Sequence, residues 1–192
     1  MALNDAQFVT NLKLAFAEVT WAGCADKLAT AVDTYVLTGT VNTTVTGVVT
    51  PPIPATPYPA TGVGVGSVVP PSKTLMVPNF ITAFASIVWV TVGTLVATGI
   101  NTYLIASIAS TTDSAILIGS GTGPVVPTGL AVLTTSLTTA FTTSGPTSSW
   151  DLLSTDIKNA VKLFITTSII TTADAGVVPP NAWVGTGTGT IS

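Results

Sequence analysis

The spacing of apolar residues near the start of the chain predicts a first helix. Five of them fall on one helical face, at offsets of 4, 7, 8 and 11 residues from the first: Phe8, Leu12, Ala15, Phe16 and Val19. Asn4 and Gln7 have the three-residue spacing of a capping box, which closes the first turn of a helix. We therefore expect an amphipathic helix that begins directly after Asn4.

A second helix and an extended segment are predicted next. The second apolar face consists of Leu28, Val32, Tyr35 and Val36. The run 40–45 is rich in β-branched threonine and valine, which favour a strand. Five prolines between positions 51 and 59 then precede glycines that alternate over 62–66. The order predicted for this part of the chain is a helix pair, a Thr/Val-rich strand and a Pro/Gly-rich extended arm.

The same order of features occurs three times along the chain. Shifts of 68 and 129 residues bring the later copies onto the first, with one four-residue insertion in the third copy. The aligned aromatic positions are Phe16, Phe84 and Phe141; Trp21, Trp89 and Trp150; and Tyr35, Tyr103 and Phe164. Internal similarity at a fixed period is typical of repeat architectures. We interpret the aromatic residues on the apolar helical faces, Tyr35, Tyr103 and Phe164 among them, as core residues.

The later copies contain both apolar helical faces. These are Phe80, Phe84, Ile87 and Val88, then Val96, Ile100, Tyr103 and Leu104; and Leu133, Leu137, Ala140 and Phe141, then Ile157, Val161, Phe164 and Ile165. Asn79 is expected to cap the second copy's first helix. The counterparts of the strand are 116–118 and 169–172, and alternating glycines follow at 119–123 and 185–189. The predicted fold is α+β, with three tandem repeats at 4–71, 72–127 and 128–192.

Composition excludes several classes of function. Only 7% of the 192 residues are charged, and the chain has five lysines but no arginine or histidine. Five scattered lysines cannot neutralise a nucleic-acid backbone, so we expect no nucleic-acid partner. Histidine-based acid–base catalysis and a His/Cys zinc site are excluded, because Cys24 is also the single cysteine. With so little charge, we expect much of the surface to lie against other subunits.

No motif supplies a catalytic or binding site. The glycine-rich run 119–123 lacks the Lys-Ser/Thr pair of a phosphate-binding loop. Asp26 and Asp33 would lie on one helical face about 10.5 Å apart, too far for most carboxylate pairs in glycoside hydrolysis. Lys158 and Lys162 are expected to pair with Asp151 and Asp156. We expect no catalytic, cofactor-binding or metal-binding residues, no cofactor and no enzymatic activity.

The middle of the chain raises the alternative of a membrane protein. No charge occurs from 74 to 112, and the 30 residues at 80–109 exceed the length of about 20 that crosses a bilayer. The equivalent helices of the other two copies do carry charges, which makes membrane contact the less favoured interpretation. The amino terminus lacks the basic and apolar regions of a signal peptide, which predicts synthesis in the cytoplasm. This disfavours a second alternative, a secreted filament or surface-layer subunit.

The segment 31–49, followed by prolines and a Gly-x-Gly-x-Gly run, resembles small virion structural proteins of tailed bacteriophages. The resemblance implies a non-enzymatic particle component, located in the virion as a capsid-decorating, neck or tail protein. Its partners would be other virion proteins in a homo- or hetero-oligomer. We expect assembly through burial of apolar surface and through pairing of the Gly/Thr segments with strands of neighbouring subunits.

Overall fold

The computed structural model describes residues 3–52, 54–86, 88–144 and 150–192. The protein is a mixed helix and strand structure. Its helices are α1 (Asp5–Phe16), α2 (Trp21–Thr38), α3 (Val77–Ala85), α4 (Trp89–Ile105), α5 (Leu130–Ser144) and α6 (Trp150–Thr166). Its strands are β1 (Thr40–Thr50), β2 (Tyr58–Val69), β3 (Ile108–Ala115), β4 (Gly119–Val126), β5 (Ile169–Val178) and β6 (Asn181–Ile191). One turn of 3₁₀ helix, Lys73–Leu75, precedes α3.

The six strands form a closed antiparallel barrel in chain order, with β6 paired to β1. The register recurs from one hairpin to the next. Val45 of β1 lies opposite Gly62 of β2, Asp113 of β3 opposite Gly119 of β4, and Asp174 of β5 opposite Gly185 of β6. Closure gives every strand two neighbours within the chain, so the barrel has no unpaired strand edge.

The six helices form a ring at one end of the barrel. Each helix contacts the next along the chain, and α6 contacts α1. Helices α2, α4 and α6 lead into β1, β3 and β5 after one or two residues, which fixes the ring directly on the barrel. One large core joins the two layers, because inward residues at the near end of the barrel, such as Val41 and Ile170, belong to the same buried cluster as the helices. A small second cluster of Val45, Val49, Leu117 and Trp183 closes the far end.

Three phenylalanines meet where the helix pairs turn, at the end of the ring away from the barrel. Phe16 makes edge contacts with Phe84 and Phe141, with ring centroids 6.4 and 6.3 Å apart. Each phenylalanine stacks with the tryptophan that begins a helix of a different pair. The stacked pairs are Trp21 with Phe84, Trp89 with Phe141 and Trp150 with Phe16. This cyclic exchange of aromatic rings ties the three helix pairs to one another.

The predicted helical faces are largely confirmed. The predicted residues on α2, α4, α5 and α6 are all buried, as are Phe8, Leu12, Ala15 and Phe16 on α1. Val19 is wrong, since α1 ends at Phe16 and Val19 is 95% exposed in the following loop. Val88 is also wrong, because it is exposed and precedes α4. The predicted Ile87 lies outside the described residues.

The two predicted helix caps have different outcomes. The side chain of Asn4 accepts a hydrogen bond from the backbone N–H of Gln7 at 3.1 Å and donates to its side chain at 3.2 Å, so the first cap is confirmed. Asn79 does not cap α3, because it lies inside that helix, after Met76 and a proline in the first turn. Proline at the start of a helix needs no capped N–H group of its own.

The extended arms of the sequence prediction are strands of the barrel. The alternating glycines lie in β2, β4 and β6, each paired on both sides. The run 116–118 is not a strand: it connects β3 to β4, and the strand of that copy is Ile108–Ala115. The Gly/Thr segments find their partners within the chain, so the expected pairing with strands of other subunits would require the barrel to open.

The alternative membrane span at 80–109 does not form one helix. It is divided between α3, α4 and the start of β3. Within the described ranges, no helix combines the length and the apolar character needed to cross a bilayer.

Candidate functional site

The lumen of the barrel contains a buried polar level between the two apolar clusters. Thr43, Thr111 and Thr172 occupy equivalent inward positions on β1, β3 and β5, and all three are buried. Two residues further along the same strands, the inward positions are Val45, Asp113 and Asp174. Asp113 and Asp174 are only 2% and 3% exposed. Burying a carboxyl group costs free energy unless hydrogen bonds or an opposite charge compensate it. We therefore take this level of the lumen as the candidate functional site.

Glycines on the alternate strands make room for these side chains. Gly64, Gly121 and Gly187 are the middle glycines of β2, β4 and β6 and face the lumen. A Cβ atom added to Gly121 would overlap Oδ1 of Asp174, and one added to Gly64 would lie 2.7 Å from Oδ1 of Asp113. Only glycine therefore fits at this level opposite the two aspartates.

The hydroxyl groups of the lumen bond unequally to the two carboxyl groups. Thr172 Oγ1 lies 3.0 and 2.8 Å from the two carboxyl oxygens of Asp174 and donates to that group. Thr111 Oγ1 is a more distant 3.4 Å from Oδ1 of Asp113. Oδ2 of Asp113 is buried and has no hydrogen-bond partner among the described residues. The compensation for burial is thus good at Asp174 and incomplete at Asp113.

The electrostatic surroundings of Asp113 also disfavour its charged form. Burial, and after it the charge of neighbouring Asp174, raises the pKa of the Asp113 carboxyl, and the hydrogen bond from Thr111 opposes this only in part. Asp113 is consequently the carboxyl group of this pair that is easier to keep neutral.

The outer wall of the barrel carries no charged side chain on any of the six described strands. Its exposed positions are mainly threonine, serine, alanine, valine and isoleucine, and the others are Asn42, Tyr58, Pro59 and Pro124. The exposed large aliphatic residues on the strands are Val48, Val63, Val65, Val69, Ile108, Val126, Ile169, Val177 and Val184. A surface of this kind has little to oppose association with another protein.

The charged residues outside the lumen have structural partners in the helical layer. Asp26 accepts a hydrogen bond from Lys73 at 2.7 Å, and Asp33 accepts one from the hydroxyl of Tyr103. The run 119–123 is strand β4 rather than a phosphate-binding loop.

The lysine pairing predicted for α6 is wrong. Lys162 lies 2.8 Å and Lys158 3.9 Å from Oδ2 of Asp5 on α1, because closure of the ring brings α1 against α6. Asp151 instead pairs with Lys13, and Asp156 accepts a hydrogen bond from Ser144 at 2.9 Å.

Sequence reasoning missed Asp113 and Asp174, although two signals mark them. Both stand where the shifts of 68 and 129 residues align them with Val45. Both also fall on the inward phase of a period-two pattern, after Ala109 and Thr111 in β3 and after Ile170 and Thr172 in β5. An aspartate at the position of a core valine indicates a buried carboxyl group.

The other cleft and the free thiol of the molecule give weaker indications of a functional site. An open cleft of about 390 Å³ between α5 and α6 is lined by polar residues that include Thr139, Asp156 and Asn159. No group of three or more acidic, histidine or cysteine side chains that could hold a metal ion occurs in the part of the chain that the structure describes. Burial, followed by the charge of Glu18, raises the pKa of the Cys24 thiol to about 12, which leaves it unreactive.

No family model, curated protein or solved structure matches this chain.

Proposed function

We propose that this chain is a non-enzymatic structural component of a tailed-phage virion, a capsid-decorating, neck or tail protein located in the particle. It binds other virion proteins, in a homo- or hetero-oligomer, by burying uncharged surface. The observation that carries the proposal is the outer wall of the barrel, where exposed aliphatic side chains occur on strands without any outward charge. Apolar surface removed from water contributes about 25 cal/mol per Å², so such a wall favours contact with a neighbouring subunit.

The closed barrel limits how this binding can occur. With every strand paired within the chain, addition of a strand from a neighbour would break existing hydrogen bonds. Side chains of the outer wall remain available without that cost. We therefore assign assembly to face-to-face burial of the wall and not to strand pairing between subunits.

We also propose that the fold arose from three tandem repeats, at 4–71, 72–127 and 128–192. The recurring order of two helices and two strands, the recurring strand register and the cyclic stacking of Trp21, Trp89 and Trp150 support this. Three like sectors around one axis give a single chain the symmetry of a trimer. Such a chain suits a three-fold position on a symmetric particle.

The test places one charge on the outer wall and one on the helical layer. Val65 of β2 and Val132 of α5 are matched controls for each other, since both are valines and they are 52% and 53% exposed. The phage that encodes the chain is prepared with Val65→Lys or Val132→Lys, and the chain is quantified in purified particles by immunoblotting. Burying an unpaired lysine costs several kcal/mol, so we expect Val65→Lys to reduce incorporation by about tenfold or more.

The control variant Val132→Lys should be incorporated like the wild type. Urea unfolding of both purified variants checks that neither substitution unfolds the chain. Absence of the chain from wild-type particles would contradict a virion role altogether. Normal incorporation of Val65→Lys would contradict the assignment of the barrel wall as the contact surface.

A further inference from the structure

No lysine lies beside the two buried aspartates. The lumen positions that face them are threonines and Val45 on the odd-numbered strands and glycines on the even-numbered strands. Among these described inward positions, Asp113 and Asp174 are the titratable groups. All five lysines lie in the helical layer: Lys13, Lys27, Lys73, Lys158 and Lys162. Two carboxylates at this depth would repel each other in a medium of low polarity.

The hydrogen bonds of the pair indicate which group is neutral. Asp174 has a threonine hydroxyl close to both of its oxygens, which suits a carboxylate. Asp113 has one distant hydroxyl at Oδ1 and none at Oδ2. A protonated carboxyl group needs an acceptor rather than donors, and the carboxyl group of Asp174 is buried at the same level of the lumen. The partnerless Oδ2 thus has the surroundings of a hydroxyl that points to the neighbouring carboxylate.

We propose that Asp113 and Asp174 share one proton at neutral pH, with Oδ2–H of Asp113 donating to the carboxylate of Asp174. This buried acid–carboxylate bond joins β3 to β5 across Gly121 of the intervening strand β4. It turns a repulsive pair into a strong hydrogen bond, because bonds to an ionised acceptor exceed those between neutral groups. Deprotonation at higher pH restores the repulsion inside the barrel. The pair therefore makes the stability of the closed barrel depend on pH.

The sign of the pH dependence follows from proton uptake. The folded chain retains a proton that the unfolded chain releases above about pH 4, the ordinary aspartate range. The stabilising effect is therefore fully present below that pH and declines as the pH rises toward the titration of the folded pair. With one proton at issue, the equilibrium constant for folding falls by up to about tenfold per pH unit within that window.

The direct test observes the carboxyl groups of the intact chain. Side-chain carboxyl carbons of Asp113 and Asp174 are followed by ¹³C NMR from pH 4 to pH 9, with assignments from Asp113→Asn and Asp174→Asn. We expect one of the two groups to remain protonated at pH 7. Two ionised groups at pH 7 would overturn the proposal.

The second measurement is urea unfolding across the same pH range. Asp113→Asn keeps a donor facing Asp174 but cannot ionise, so we expect its stability to stop declining as the pH rises. The matched control is Asp151→Asn, which alters an exposed carboxylate of α6 and should keep the wild-type slope. An unchanged slope in Asp113→Asn would overturn the proposal. If that variant does not fold, the NMR titration of the wild type decides.

A bound cation is the competing way to balance the pair, and the same titration distinguishes it. The experiment is repeated with a chelator and with added Ca²⁺. A proton-sharing pair should give the same carboxyl shifts in all three solutions. Shifts that depend on Ca²⁺, with both groups ionised at pH 7, would replace the shared proton by a metal ion.

Discussion

The ring of helices and the barrel fill their interiors in opposite ways. The ring is packed by large side chains from all six helices, and Phe8, Phe80, Phe141 and Tyr103 are among the largest buried groups. In the barrel, three strands supply inward side chains while the other three present mainly glycines at the polar level. The same chain thus builds one core from interlocking side chains and another from side chains that face backbone.

The difference follows from the number of strands. A barrel of about eight strands has an interior just wide enough to be filled by side chains from every strand, and the diameter falls with strand number. Six strands leave too little room, so alternate strands must give up their inward side chains. The alternating glycines are therefore a consequence of closure, even though glycine weakens a strand considered alone.

The two regions also differ in the placement of charge. Of the 13 charged residues, the barrel contains only Asp113 and Asp174, both inside, and the others lie in the helices and their connections. Charge on α1, α2 and α6 hydrates that part of the helical layer and specifies contacts between helices, as between Lys162 and Asp5, whereas α3, α4 and α5 carry no charge. The barrel wall presents no charged side chain to solvent on any of its six strands.

The largest effect should come from adding a side chain to the narrow lumen. Gly121→Val places a branched group on the carboxyl of Asp174 and beside Oγ1 of Thr111. We expect a loss of about 5 kcal/mol in the free energy of unfolding, enough to leave the chain largely unfolded. Circular dichroism and urea unfolding measure this. The control is Gly129→Ala, whose new Cβ would meet Thr167 Oγ1 at an ordinary 3.4 Å and should cost at most about 1 kcal/mol.

In the ring of helices, the corresponding large loss of stability should come from removing a large buried side chain. Phe141 is buried, contacts Phe16 at its edge and stacks with Trp89 at 6.5 Å. Phe141→Ala should lower the free energy of unfolding by about 3–4 kcal/mol through lost burial and the cavity left behind. Val132→Ala on the exposed side of the same helix should change it by only about 0.5 kcal/mol. Equal losses in the two variants would show that the aromatic cluster is not a packed core.

The contrast between the regions explains how much could be predicted from the sequence. Helical faces were predictable because a 3.6-residue period marks them by side chain, and Leu28, Ile100 and Ile157 are buried as expected. The glycine strands were mistaken for arms, because a glycine has no side chain to mark a face and its β propensity is low. Their stability comes from neighbours on both sides, which only the closed barrel provides.

The candidate site was missed for a related reason. Asp113 and Asp174 lie outside the helical faces and motifs on which the prediction depended, and only the alternation within their strands places them inside. The partner of Lys162 was likewise sought on its own helix, six or eleven residues away at Asp156 or Asp151. The actual partner, Asp5, is brought there by the closure of the ring, a long-range event without a local signal.

A smaller effect should distinguish two threonines that occupy equivalent lumen positions. Thr172 bonds to Asp174 at 2.8 Å, whereas Thr43 has a 3.4 Å contact with the carbonyl oxygen of Gly64. Thr172→Val should lower the free energy of unfolding by about 1–2 kcal/mol, because a buried carboxylate loses its donor. Thr43→Val should cost at most about 0.5 kcal/mol. Urea unfolding of both at pH 7 makes the comparison, and equal losses would show that Thr172 does not compensate the charge of Asp174.

The smallest predicted effect concerns stability in acid. A falling pH should weaken the contribution of Asp5 in the helical layer, whereas it strengthens that of the aspartate pair in the lumen. Burial tends to raise the pKa of Asp5, but hydrogen bonds from Lys162 at 2.8 Å and Tyr35 at 2.7 Å outweigh it and lower that pKa below its ordinary value. A lowered pKa stabilises the fold above about pH 4, and this contribution is lost as the pH falls through the folded-state value.

Asp5→Asn should therefore lose less stability than the wild type between about pH 5 and pH 2 in urea unfolding. Because Asp5 is partly exposed, the difference should be small. Asp113→Asn should keep the wild-type slope below about pH 4, where Asp113 is protonated in both the folded and the unfolded chain. Coincident acid-side slopes of Asp5→Asn and the wild type would remove Asp5 from the ion pairs that stabilise the ring.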